Sequence, residues 1–284
     1  MSERVIRVAT RKSPLAMRQT ELAVAALQEA CPNWRFEVLP MSTTGDERLA
    51  WSLETSGGKG LFTSALEAAI VAGEADLAVH SAKDLPTQMP AGVALAGYLP
   101  RAPAHDVLVR REGVEPGLIA TSSPRRRAQL KGRFPGAAWK EIRGNIQTRL
   151  EKLVEGHADA SVMAKAGFFR MGIDAFPGLT FEDLPIEVSV PAAGQGAIGL
   201  QVREEDAVHF RPHLCVETGR AVSLERAFLA AMGGGCHSAS AAHYADGRLY
   251  CFDEAFGYRC HVVPDTLWDG GDTALREWAE QQLS

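Results

Sequence analysis

A strand-like run that passes through a short polar turn into a helix recurs along this chain, and that alternation limits its architecture more than any other feature. Residues 5–10 (VIRVAT) show the two-residue period of a strand, Arg11-Lys12-Ser13 form a turn, and Pro14 opens a helical pattern to about residue 30. A strand at 34–41, a helix from 61 to about 72 and strands at 76–80 and 93–98 follow. Beyond a proline-punctuated connection at 99–106 (LPRAPAHD), the pattern resumes with strands at 107–110, 118–121, 137–142 and 160–163. Helices from Pro124, over 146–154 and from 164 to 172 alternate with them. Helical crossovers join parallel strands, so a mainly parallel sheet is expected in this second half. The small-residue stretch 191–196 (PAAGQG) leads into the strand-like AIGLQV and reads as a return to the first half. A helix over 217–232, short strands at 242–244, 249–252 and 259–263 and a last helix from Thr273 make a small α+β tail. The expected domains are 1–98 with 192–214, then 99–191, then 215–284.

The chain has 284 residues, 46% of them hydrophobic, enough to bury more than one core. No run is long enough to span a bilayer, and residues 1–20 lack the basic-then-apolar pattern of a signal peptide, so a cytoplasmic protein is expected. Five cysteines (Cys31, Cys215, Cys236, Cys251 and Cys260) are odd in number and form no CxxC, so neither a disulfide framework nor a metal site is signalled. A net charge of −5 argues against general nucleic-acid affinity. Positive charge is nevertheless concentrated: between Ala120 and Lys152 there are nine Lys or Arg against two Glu, with only Phe134 and Trp139 to stack on a base.

Several turns carry candidate chemistry. The stretch 75–86 (ADLAVHSAKDLP) begins as a buried strand and ends in a polar loop with His80, Ser81, Lys83 and Asp84. Ligands of open α/β sheets bind at the carboxyl ends of strands. An extended Lys83-Asp84 pair would point two ways and serve two ligand groups, although an ordinary solvated turn has the same composition. Arg11 and Ser13 precede a helix N-terminus, which favours an anion, and Gln19 follows one or two turns on. Capping by Ser13 before Pro14 accounts for the serine but not the arginine. Residues 57–60 (GGKG), with Lys59, lack the phosphate-loop spacing and suit either a lid or a linker. In the basic segment, Ser123 with Arg125 and Arg126, then Arg143 with Arg149, each combine a strand end, a helix start and planar guanidiniums. That chemistry matches carboxylates, and its repetition implies a ligand with several. Arg127, Lys131 and Arg133 are equally explained as solvated helix residues. Arg170 adds a further cation, and Gly233-Gly234-Gly235 leaves Cys236 with little steric cover.

Two α/β units joined by a hinge resemble the periplasmic-binding-protein-like architecture, in which two domains close a cleft over a small ligand. The motifs are more specific. RKSPLA at 11–16, GGKGLF at 57–62, DLAVHSAKDLP at 76–86, TSSPRRRAQL at 121–130, IRGNIQTRL at 142–150, PAAGQGAIG at 191–199 and the glycine-cysteine loop together resemble the porphobilinogen deaminase family through almost the whole chain. The resemblance implies two periplasmic-binding-protein-like α/β domains plus a small C-terminal α+β domain. It also implies a monomeric transferase that joins four porphobilinogen molecules head to tail into hydroxymethylbilane, with loss of ammonia, in tetrapyrrole and heme biosynthesis. A dipyrromethane cofactor would sit in thioether linkage on Cys236. Asp84 would be catalytic, Lys83, Ser123, Arg125, Arg126 and Arg149 would hold cofactor carboxylates, and Arg11, Ser13, Gln19, Lys59, Arg143 and Arg170 would contact substrate. The small molecule would be the partner, with no metal, nucleic acid or membrane. Two departures from the family pattern are Thr55, where many relatives have lysine, and the run His237-Ser238-Ala239-Ser240 after the cysteine. The hinge pattern alone would equally suit a non-catalytic binder of a small polycarboxylate or oligopyrrole.

Overall fold

The computed structural model describes residues 4–43, 63–233 and 239–283. Its elements begin with β1 (Arg4–Arg11), α1 (Pro14–Ala30), β2 (Trp34–Met41), α2 (Ser64–Val71), β3 (Leu77–Ser81) and β4 (Val93–Tyr98). Then come β5 (Asp106–Arg111), β6 (Leu118–Ala120), α3 (Pro124–Leu130), β7 (Ala138–Lys140), α4 (Ile146–Val154), β8 (Ala160–Ala164), α5 (Lys165–Met171) and β9 (Leu179–Asp183). The chain closes with β10 (Ile198–Arg203), α6 (Ala207–Phe210), α7 (Val216–Ala231), β11 (Ala241–Ala245), β12 (Arg248–Asp253), β13 (Gly257–Val262) and α8 (Gly271–Leu283). The described chain falls into two compact units, one of residues 4–43, 63–101 and 197–219, the other of 102–196, 220–233 and 239–283.

Three helices start by the same local chemistry. Ser13, Ser123 and Asn145 hold extended backbone conformations and accept the backbone N–H three residues on, and Pro follows each serine at the first helical position. The backbone donors that a helix start leaves open are thereby met by residues adjacent in sequence.

Each unit holds a five-stranded sheet, and the two have matching plans. The first runs β2-β1-β3-β10-β4 and the second β7-β6-β8-β5-β9. This is the expected pair of α/β domains, with one correction. The sheets are mixed, because β10 lies antiparallel to both β3 and β4, and β5 antiparallel to both β8 and β9. Those two strands follow the connections 99–105 and 191–197 rather than a helical crossover, so the parallel rule does not reach them. Strand β9 (LTFED), with one residue fully inward, had no clear signal in the sequence.

Strand alternation gives each sheet two apolar faces. Ile6 and Val8 pack with Ala23 and Leu27 of α1, whereas Ala9, the next residue, packs with Leu66, Ala69 and Ile70 of α2. In the second sheet Val107 and Val109 pack with Leu150 and Leu153 of α4, and the intervening Leu108 with Leu130 of α3. The small C-terminal domain is an antiparallel sheet, β11-β12-β13, covered by Leu224 and Phe228 of α7 and Leu275 and Ala279 of α8. Among the described residues no helix is long and apolar enough to cross a membrane.

One buried polar chain crosses the first sheet. His80 on β3 lies 3.0 Å, through Nε2, from Gln201 Oε1 on β10, and Gln201 Nε2 donates to Glu67 Oε1 on α2 at 3.3 Å. Burial disfavours the imidazolium, and the charge of Arg11 adds to that against the Gln201 hydrogen bond, lowering the His80 pKa to about 4. In the unfolded chain the same group takes its proton near pH 6.5. Stability should therefore be indifferent to His80 above about pH 7 and fall by up to about 3 kcal/mol as pH drops from 6.5 to 4. Urea unfolding at pH 7 and pH 4.5 checks this: His80→Gln should lose less stability over the interval than wild type, and equal losses would remove His80 as the cause.

Candidate functional site

In the first unit the candidate residues meet at the carboxyl ends of β1 and β3, which run parallel as neighbours. Arg11 is the last residue of β1, and Ser13 caps α1 with its Oγ 3.4 Å from the Ala16 nitrogen. Gln19, 3% exposed, reaches from α1 to the end of β3, where its Nε2 donates to Ser81 Oγ at 2.8 Å. Immediately after Ser81 the backbone makes a 3₁₀ turn over Ala82–Asp84, not the extended segment that would have splayed Lys83 and Asp84 apart. The reason lies in its two apolar anchors: Ala82 and Leu85 are buried, and the Ala82 N–H donates to the Ala197 carbonyl of the returning chain. Lys83 and Asp84, between those anchors, remain half-buried.

The second unit repeats the arrangement at the carboxyl ends of β6, β7 and β8. Ser122 Oγ donates to the Ile142 carbonyl at 2.9 Å, stapling the loop after β6 to the loop after β7. Ser123 starts α3, and Arg125 and Arg126 in its first turn are 4% and 7% exposed. Their guanidiniums converge on Asp106, the first residue of β5, which is wholly buried. Arg125 Nη2 lies 2.8 Å from Asp106 Oδ2 and Arg126 Nη2 2.7 Å from Oδ1. Ser189 Oγ and Gln195 Nε2, each at 2.8 Å, complete the carboxylate's partners. Burial alone would raise the Asp106 pKa, but the two guanidiniums outweigh it and hold the carboxyl far below the usual carboxylate range.

Two guanidiniums on one carboxylate leave the cluster with an excess of one positive charge. Two further donors are directed at main-chain carbonyls, Arg125 Nη1 at Val190 and Arg126 Nη1 at Val162, 3.0 Å in the latter case. Arg126 Nε is buried and has no hydrogen-bond partner. Arg143 and Arg149, after β7 and on α4, are half-buried, and Arg149 Nε donates to the Gly144 carbonyl at 2.8 Å. Arg170 on α5 is 8% exposed and donates from Nη2 to the Gly196 carbonyl at 2.6 Å, and burial lowers its pKa to about 10. Arg133 pairs at the surface with Glu182. Lys59 and Cys236 lie outside the described residues, as do the departures at Thr55, His237 and Ser238.

Sequence reasoning missed Asp106, Ser189, Gln195 and Glu225. Their signal was a deficit: buried arginines need a buried acid, and Asp106 is an acid that opens an apolar strand. Residues 194–196, read only as a crossing, each hold a buried polar group. The Gly194 N–H donates to Glu225 Oε2 at 2.7 Å, Gln195 donates to Asp106 and to the Ala104 carbonyl, and Gly196 accepts from Arg170. Glu225, on α7, also accepts the Tyr244 N–H of β11 at 2.8 Å, so the segment is tied to the small domain.

Comparison with known proteins places this arrangement. Residues 6–210 match the family model described as porphobilinogen deaminase, dipyromethane cofactor binding domain. Porphobilinogen deaminase of Thiobacillus denitrificans is 42% identical over 254 residues, covering 85% of this chain and 82% of that one. The protein of the same name from Pelotomaculum thermopropionicum is 44% identical, covering 82% and 77% of the respective chains.

At Gly196 the backbone φ is +86°, and a Cβ would stand 2.4 Å from the Ala102 carbonyl oxygen. Gly196→Ala should cost ~2–4 kcal/mol, from the left-handed conformation plus the backbone clash. The midpoint of urea unfolding measures it, and a shift below about 0.5 kcal/mol would show that the segment yields freely.

Proposed function

This chain belongs to the porphobilinogen deaminase family, and we propose that it acts on porphobilinogen through Asp84, the arginines of the second unit and a dipyrromethane carried on Cys236. It deaminates four porphobilinogen molecules and joins them head to tail into hydroxymethylbilane. Each substrate bears an acetate and a propionate, so the growing product is a polyanion, and the site that holds it must be positive while the whole chain carries −5.

The observation that carries the reading is the buried excess of guanidinium over carboxylate around Asp106, together with the unpartnered Arg126 Nε. An unpaired cationic donor in a protein interior is costly unless an anion meets it. The carboxylates of a dipyrromethane fit that requirement. Lys83, Ser123, Arg125, Arg126 and Arg149 would hold them, and the group when bound supplies the pyrrole end from which the product grows. Arg11, Ser13, Gln19, Lys59, Arg143 and Arg170 would meet the substrate's own carboxylates. Gln19, engaged with Ser81, would do so from a fixed position.

Asp84 has the acid–base and electrostatic work. Departure of ammonia from the aminomethyl group leaves a cation, and a half-buried carboxylate about 4 Å away stabilises it by roughly 4 kcal/mol at an effective dielectric near 20. Expressed fully in the transition state, that is about a thousandfold in rate. The 3₁₀ turn supports this role, since buried Ala82 and Leu85 fix the backbone on either side of the carboxylate. With the reading go the expectations of a cytoplasmic location and a monomeric state.

Asp84→Asn keeps the size of the side chain but removes its charge and replaces one acceptor oxygen by a donating NH2. Its kcat should fall about a thousandfold with KM changed by less than about tenfold, and a near-normal kcat would take the catalytic role from Asp84. Intact mass tests the attachment. Protein from porphobilinogen-producing cells should carry one dipyrromethane, Cys236→Ser should carry none, and a modified Cys236→Ser protein would move the linkage to another residue.

A further inference from the structure

The arginine pair is held by a residue that no motif singled out. Asp106 exposes none of its surface, and both of its carboxylate oxygens are fully engaged: Oδ1 with Arg126 and Gln195, Oδ2 with Arg125 and Ser189. Each guanidinium also reaches a main-chain carbonyl on a different segment, Val190 for Arg125 and Val162 for Arg126. Two cations this close repel one another, and long flexible side chains of like charge separate when nothing holds them. The buried carboxylate removes both freedoms, leaving Arg126 Nε without a partner in a surround that already excludes water.

We propose that Asp106 is a positioning residue for anion recognition: it fixes the Arg125 and Arg126 guanidiniums side by side and neutralises only one of them, so that the pair meets a ligand carboxylate preorganised and with one positive charge in excess. The inference rests on the reading that these arginines hold cofactor carboxylates. Asp106 itself touches no ligand; its effect passes through the two guanidiniums. It should govern how strongly the anionic ligand is captured and leave the chemical step to other groups.

The test follows loading of the cofactor rather than turnover. Protein made without porphobilinogen is mixed with it, and the modified fraction is followed by intact mass at several concentrations, alongside melting temperature. In Asp106→Asn, of nearly the same shape, and in Asp106→Glu, which keeps the charge but displaces it, the concentration for half-maximal loading should rise at least about tenfold, the scale of one charge-assisted hydrogen bond. Ile70→Ala, a core truncation in the first unit, should lower the melting temperature without moving that concentration. Wild-type half-maximal loading in both Asp106 variants would overturn the inference, and so would failure of both to fold, which assigns the residue to folding alone. Arg126→Met separates the two readings. If it loads like wild type, or wild type itself stays unmodified, the assignment of the arginines to the cofactor fails; if it does not load while the Asp106 variants do, only the positioning role fails.

Discussion

A carboxylate from which water is wholly excluded, shared by two guanidiniums, is the constraint on which the second unit depends. Removing ions from water costs several kcal/mol for each, and their attraction offsets this only when every remaining donor and acceptor is met. On the carboxylate's side Asp106 satisfies the condition with four donors on two oxygens, whereas Arg126 Nε is left without a partner. The consequence is connective. One side chain on β5 draws together the first turn of α3, the segment after β9 and the stretch 194–196, and through Arg126 the carbonyl of Val162 on β8. Removing any partner would leave a buried ion exposed to its neighbours' charge, so these segments are fixed relative to one another by electrostatics as much as by apolar packing.

The architecture was largely legible because its signals are local. Helix starts at Pro14, Pro124 and Ile146 follow from capping chemistry encoded within four residues, and strand β1 from alternation. What escaped was non-local. The antiparallel course of β5 and β10 depends on which connections lack a helix, and β9 is held as a strand by its pairing with β5. The 3₁₀ turn at Asp84 depends on buried Ala82 and on the Ala197 carbonyl, over a hundred residues away. The same division runs through the site. The arginines stood out as a cluster of charge, but that two of them are buried and oriented by one acid appears only when Asp106, distant in sequence, is brought beneath them.

Serine caps a helix twice at these turns, and for Ser13 the capping reading of the sequence holds. Ser13 and Ser123 accept a helix N–H through one lone pair of the hydroxyl oxygen. Capping as an acceptor leaves the O–H free in principle to donate to an anion. A structural cap and a ligand contact are therefore compatible in the same residue, and the helix start that the cap creates adds its own partial positive charge at that point.

The placement of β10 has a bearing on how the polypeptide emerges from the ribosome. That strand lies between β3 and β4, yet it is made only after the whole of the second sheet. Until residue 203 has been added, the N-terminal sheet has a gap between β3 and β4 and a bare strand edge on either side of it, whereas β5 to β9 form a contiguous stretch able to close on themselves. Vectorial synthesis would then complete the later sheet first. The nascent N-terminal half would meanwhile need shielding from edge-to-edge association.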